Sequence, residues 1–138
     1  MNIKRIESDF LKGLFSTQSH KYVMTEYEGR VGYSDGHYIA FVAKSVAYVK
    51  CERPMFTFER NGYDHFIADY KYTITTEYGN LARYDRRDMR GHAYIDVKYT
   101  KYFDKDADYY VKDHRSPIHV YEEGFLVGII CPVAIKED

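Results

Sequence analysis

The stretch from Tyr22 to Ala43, YVMTEYEGRVGYSDGHYIAFVA, reads as three short strands separated by two turns. Aromatic and β-branched residues populate Tyr22 to Glu28, the Val31 and Tyr33 region, and His37 to Ala43, and such side chains suit a pleated, half-buried surface. Gly29 and the triplet Ser34-Asp35-Gly36 interrupt them. Glycine reaches positive φ without steric cost, and an Asp side chain accepts hydrogen bonds from the backbone ahead of it, so both interruptions signal turns. The stretch is a meander, and it sets the expectation of an antiparallel sheet.

On the N-terminal side, Ile6, Phe10 and Leu14 recur at i, i+4 and i+8, with Ile3 and Leu11 alongside, so residues Ile3 to Ser16 are expected to form an amphipathic helix. On the C-terminal side, Ser45 to Lys50 fits both a strand and a helical turn. Asn61-Gly62 lies between Met55–Arg60 and an apolar-rich run from Tyr63, the sequence signature of a tight hairpin. Tyr70, Tyr72, Ile74 and Thr76 alternate with Lys71, Thr73 and Thr75, which predicts a strand buried on one side. Residues between Gly79 and Gly91 are highly charged and aperiodic and are expected to be an exposed loop. From Ala93, a period of two passes into a helical period through Tyr99, Tyr102 and Phe103, predicting a strand that runs into a short helix. Strands are then expected at Asp108–Lys112 and Pro117–Tyr121, followed by a Glu123-Gly124 turn and a buried final strand from Phe125 to Ile135.

A chain of 138 residues is long enough to bury a core of its own, and 45% hydrophobic with 30% charged residues lies outside the composition of disordered chains. Sixteen tyrosines against eight phenylalanines and no tryptophan favour sheet over bundle, because a Tyr ring packs while its hydroxyl reaches water. The expected fold is α+β, a mostly antiparallel sheet with two short helices in one domain over 1–138, with a coarse pseudo-repeat at about 1–61 and 62–138. A net charge of -1 exerts no global pull toward nucleic acid or anionic lipid. Cys51 and Cys131 lack metal or redox spacing, and no apolar run approaches the ~20 residues of a membrane helix. A cytoplasmic location, no cofactor and no metal are the resulting expectations.

Val31-Gly32-Tyr33-Ser34-Asp35-Gly36-His37-Tyr38-Ile39-Ala40 resembles the Thr-Asp-Gly-His-Arg-Leu-Ala segment of the bacterial DNA polymerase III β sliding clamp family, with Ser34 for the Thr and Tyr38 for the Arg. Tyr94 to Tyr99, Ser116 to Val120, and Ile129-Ile130-Cys131-Pro132-Val133-Ala134-Ile135 are similar to that family's last domain, which ends in an apolar pair before Met-Pro-Met-Arg-Leu. The resemblance implies a duplicated helix-plus-strands unit and a non-enzymatic interaction module of DNA replication or repair. It also implies a docking site for short peptides of partner proteins at Ile130, Cys131, Pro132 and Val133. A clamp ring needs six domains and this chain supplies one, so encircling DNA requires an oligomer or further domains.

Charge argues against DNA on the helices: Lys4, Arg5 and Lys12 face Glu7 and Asp9, while Lys98, Lys101 and Lys105 face Asp96, Asp104 and Asp106. Phosphate binding draws on uncompensated cations. The strongest cationic feature is Arg83, Arg86, Arg87 and Arg90 with Tyr84 among them. These five residues are candidates for nucleic acid or for an acidic protein surface, as in a small inhibitor of phage or mobile-element type; a solvated loop with internal ion pairs is the plainer reading. His114 and His119 have neither helical nor strand spacing for a metal and read as separate surface residues. Asp35 and His37 could form an acid–base pair, although a turn-capping Asp explains Asp35 without catalysis.

Overall fold

A computed structural model describes residues 1–14, 23–47, 63–77 and 79–135. Among these residues nine antiparallel strands form one sheet: β1 (Val23–Tyr27), β2 (Arg30–Ser34), β3 (Tyr38–Ala43), β4 (Ile67–Thr76), β5 (Gly79–Arg86), β6 (His92–Asp96), β7 (Asp108–Tyr110), β8 (Ile118–Glu122) and β9 (Phe125–Ile130). Helix α1 covers Ile3–Leu14, and α2 covers Val97–Thr100. The strand order β1-β2-β3-β9-β8-β7-β4-β5-β6 places three meanders side by side, with the last in sequence lodged between the other two.

The meander at the start is as expected. Tyr27 pairs with Arg30 across Glu28 and Gly29, both at positive φ, and Glu122 pairs with Phe125 across Glu123 and Gly124 in the same conformation. Two consecutive left-handed residues give a turn whose twist matches that of the strands it joins. Asp35 Oδ1 accepts from the His37 and Tyr38 amides at 2.8 and 3.3 Å and so closes the β2–β3 turn.

The sequence places the rest of the sheet less well. The expected Asn61-Gly62 hairpin and the Cys51 thiol lie outside the described residues, and Tyr63–His65 forms a 3-10 turn rather than the start of a strand. Strand β4 is not buried along one face: Tyr70 and Tyr72 are 56% and 42% exposed. A bulge at Lys71 sets Tyr70 opposite Tyr84 but Tyr72 opposite Arg83, so these two tyrosines lie on different faces of the sheet. The charged stretch expected as a loop is mostly β5, hydrogen-bonded between β4 and β6, and only residues 87–91 turn. The final strand stops at Ile130 rather than Ile135. Pro132 has no N–H for a ladder bond, although the Cys131 amide still reaches His37 O at 2.8 Å.

The main core lies between one face of the sheet and the two helices. Asn2 caps α1 by accepting from the Arg5 amide at 3.1 Å. Ile6 and Phe10 are then fully buried against Tyr33 and Val31, each contributing about 2 kcal/mol by removing apolar surface from water. Asp96 caps α2 through the Lys98 amide, and the Tyr99, Tyr102 and Phe103 side chains enter the same core. The residue that caps α1 reaches the segment after α2: the Asn2 amide donates to Tyr102 O at 2.8 Å. A smaller cluster of Ile39, Phe41, Leu126 and Ile129 occupies the opposite face of the sheet. Just beyond β9 the Val133 amide donates to Tyr94 O in β6 at 2.8 Å, so the sheet curls to bring its β6 edge beside the end of β9.

Candidate functional site

Of the four residues expected to receive a peptide, Ile130 is fully buried in the main core and offers no surface. Cys131 is exposed, while Pro132 and Val133 are half-buried. Two backbone hydrogen bonds, Cys131 to His37 O and Val133 to Tyr94 O, fix this segment between the β2–β3 turn and β6. It therefore presents three small side chains from a rigid support. Partial burial of the Cys131 sulfur, with the Asp35 carboxylate adding to it, raises the thiol pKa. Little thiolate is then present near neutral pH, which lowers the reactivity of Cys131 as a nucleophile.

The arginine group is arranged differently from a solvated loop. Arg83 Nε donates to Asp85 at 2.6 Å, and its Nη1 donates to the hydroxyls of Tyr72 and Tyr94 at 3.2 and 3.3 Å. Its guanidinium also lies over both rings, at 5.7 and 5.8 Å. Arg86 covers the Phe66 ring at 4.6 Å, donates to Lys112 O and pairs with Asp88. Arg87 grips Asp69 through Nε and Nη2, each at 3.0 Å at its shortest. The hydrogen bonds from Arg87 hold the Asp69 carboxyl below its ordinary pKa. Tyr84 is buried and stacks on Tyr109 at 4.5 Å. Three of the four guanidiniums are thus committed to partners within the chain, whereas Arg90 is exposed beside Met89 at the tip of the turn.

Asp35 joins the turn to the helices: its Oδ2 accepts from the Tyr99 hydroxyl at 3.1 Å, while its Oδ1 closes the β2–β3 turn. Both carboxylate oxygens are engaged, and His37 is exposed. His119, expected at the surface, is buried and stacked on Tyr63 at 3.6 Å with the rings nearly parallel. Among the described residues no group of three His, Cys, Asp or Glu side chains is placed to hold a metal ion, and no helix is long and apolar enough to cross a membrane.

Sequence reading missed a line of tyrosine–carboxylate contacts along the helix face. Tyr33 donates to Glu7 at 2.7 Å, Tyr102 to Asp9 at 2.7 Å, and Tyr99 to Asp35. Tyr38 stacks on both Tyr99 and Tyr102, at 5.0 and 5.1 Å. An i, i+3 pair of tyrosines after a capped strand was the available signal. Lys101 pairs with Asp9 and Lys98 with Asp96, each at 3.8 Å, so these two of the helix-face cations are compensated. No protein-family model, no curated protein and no solved structure matches the chain.

Proposed function

We propose that this chain is a non-enzymatic interaction module of sliding-clamp type, acting in the cytoplasm with components of DNA replication or repair. The supporting observation is the arrangement about the β3–β9 pair. In chain order α1 precedes the meander β1-β2-β3 and α2 precedes the meander β7-β8-β9, and the two meanders adjoin in the sheet. The two units meet antiparallel through Tyr38↔Ile130, Ile39↔Ile129 and Ala40↔Gly128, with both helices on one face of the shared sheet. This order supports reading a helix followed by three strands at Ile3–Ala43 and again at Val97–Ile130, in place of the expected halves 1–61 and 62–138, with the meander β4-β5-β6 outside the repeat.

In this reading the working surface is Cys131-Pro132-Val133, held rigid by its two backbone bonds and apolar enough to receive a short hydrophobic peptide from a polymerase or repair protein. DNA is a secondary ligand, because Lys98 and Lys101 are paired with carboxylates and the chain's net charge is -1. Fluorescence polarisation of a labelled clamp-binding peptide tests the reading. Saturable binding that is lost in Val133→Asp, with the circular dichroism spectrum unchanged, is the expected result; absence of binding by the wild-type chain rejects it.

A second reading is favoured by the β5–β6 turn. Met89 is 92% exposed at positive φ and stands between Arg87 and Arg90, a tip suited to an acidic protein surface, as in a small inhibitor. Capture of an acidic partner that is lost in Arg90→Glu but retained in Val133→Asp would select this reading over the first.

A further inference from the structure

Strand β4 is ten residues long, yet on its β7 side only Ile67 and Ala68 are paired, with Tyr110 and Tyr109. Among the described residues nothing pairs with residues 69–75 on that side, and Asp69, Tyr70, Lys71, Tyr72, Thr73 and Thr75 are exposed. Among the described residues the β4–β5 hairpin therefore extends beyond β7 with an open edge. Tyr72-Thr73-Ile74-Thr75-Thr76 carries no charge and no proline, and every residue in it favours a strand. A long, neutral, β-prone edge is a template for another strand. Natural edges are blunted by charge or bulges, and here those devices stand only outside the segment, as the Lys71 bulge before it and Glu77 after it.

We infer that this edge pairs antiparallel with the same strand of a second copy, about a two-fold axis passing through Ile74. The register follows from charge. Centring on Ile74 sets Lys71 beside Glu77 of the other copy and Glu77 beside its Lys71, two opposite-charge pairs made by symmetry. Both residues are exposed, and neither makes an ion pair within its own chain among the described residues. Inside them, Thr73 meets Thr75 of the other copy, Ile74 meets its own equivalent, and Tyr72 meets Thr76, which are favourable cross-strand combinations. Shifting the centre by one residue to Thr73 sets Asp69 beside Glu77 and loses both opposite-charge pairs. The interface is isologous and closes at two copies, and the inference is independent of the peptide-binding reading.

Sedimentation equilibrium of the full chain at low salt, over a series from micromolar to near-millimolar, is the test. The wild-type mass is expected to rise from one chain to two. Lys71→Glu and Glu77→Lys should each weaken the dimer by roughly tenfold, since each replaces two attractive pairs with two repulsive ones, and the double swap K71E/E77K should restore it. Ile74→Lys, which places like charges on the axis, should give a single chain throughout. Circular dichroism of every variant should match the wild type. A wild type that stays monomeric, a dimer indifferent to I74K, or a double swap no stronger than its single parents would each overturn the inference.

Discussion

Gly128 lies in β9 between two meanders, opposite Ala40 in β3 and Val120 in β8. A Cβ added there would stand 2.7 Å from Phe103 Cε1, closer still to Cζ, and 3.3 Å from Ile39 O. Phe103 follows α2 and is buried in the main core, so its ring cannot swing into solvent without exposing apolar surface. Gly128→Ala should therefore destabilise by about 1–3 kcal/mol, the usual cost of overpacking. For a chain of this length that is a fall in Tm of roughly 3–9 °C. The sign is informative, because alanine in an unhindered strand interior is favoured over glycine by about 0.5–1 kcal/mol. Phe103→Leu shortens the ring, so the cost of G128A should shrink by about 1 kcal/mol or more in that background. Urea denaturation of the four proteins in this cycle supplies the measurement. A neutral or stabilising G128A, or a cost unchanged by F103L, would refute the packing of α2 onto the β3–β9 seam.

Removal of the Tyr33 hydroxyl by Tyr33→Phe leaves the buried Glu7 carboxylate without that donor and should cost about 1–3 kcal/mol in urea denaturation. Asp35→Ala removes two turn bonds and the Tyr99 contact together and should cost about 1–2 kcal/mol, with Asp35→Asn retaining part of it, as read by thermal melts. Burial is the first cause that raises Tyr99, Tyr102 and Tyr109 above the ordinary phenol pKa, with Asp35, Asp9 and Tyr84 respectively adding to it. A raised folded pKa means that the unfolded chain releases its protons first. The contribution of these three tyrosines to stability should therefore be constant below pH of about 10 and fall as pH rises beyond it. In a spectrophotometric titration at 295 nm these phenols should ionise only together with loss of the near-ultraviolet circular dichroism signal; ionisation with that signal intact would contradict their burial.

Local signals were legible in the sequence where one residue type controls the backbone. Glu28-Gly29 and Glu123-Gly124 mark the hairpins, Asp35 marks its turn, and the i, i+4 spacing of Ile6 and Phe10 marks the buried face of α1. Strand β5 was hidden because its outward face carries Arg83 and Asp85, whose charges are satisfied by each other and by Tyr72 and Tyr94 from neighbouring strands. Pairing across strands of this kind has no local signature. The Lys71 bulge reversed the faces of β4 because period-two reading assumes an unbroken ladder, and an extra residue shifts everything after it. His119 looked like a surface histidine because its apolar partner, Tyr63, is remote in sequence. At the candidate site, the chain's departure from the strand after Ile130 was signalled by Pro132, whereas the anchors at His37 O and Tyr94 O depend on tertiary contact.

The surface at which a partner docks is resolved most directly by amide chemical-shift mapping, with the isotope-labelled chain titrated with a clamp-binding peptide. Cys131, Val133, Ala134 and Ile135 should shift in step with occupancy, together with their backbone neighbours His37 and Tyr94. Shifts confined to Arg87–Arg90, or a spectrum indifferent to the peptide, would contradict the proposed docking of a peptide at Cys131-Pro132-Val133.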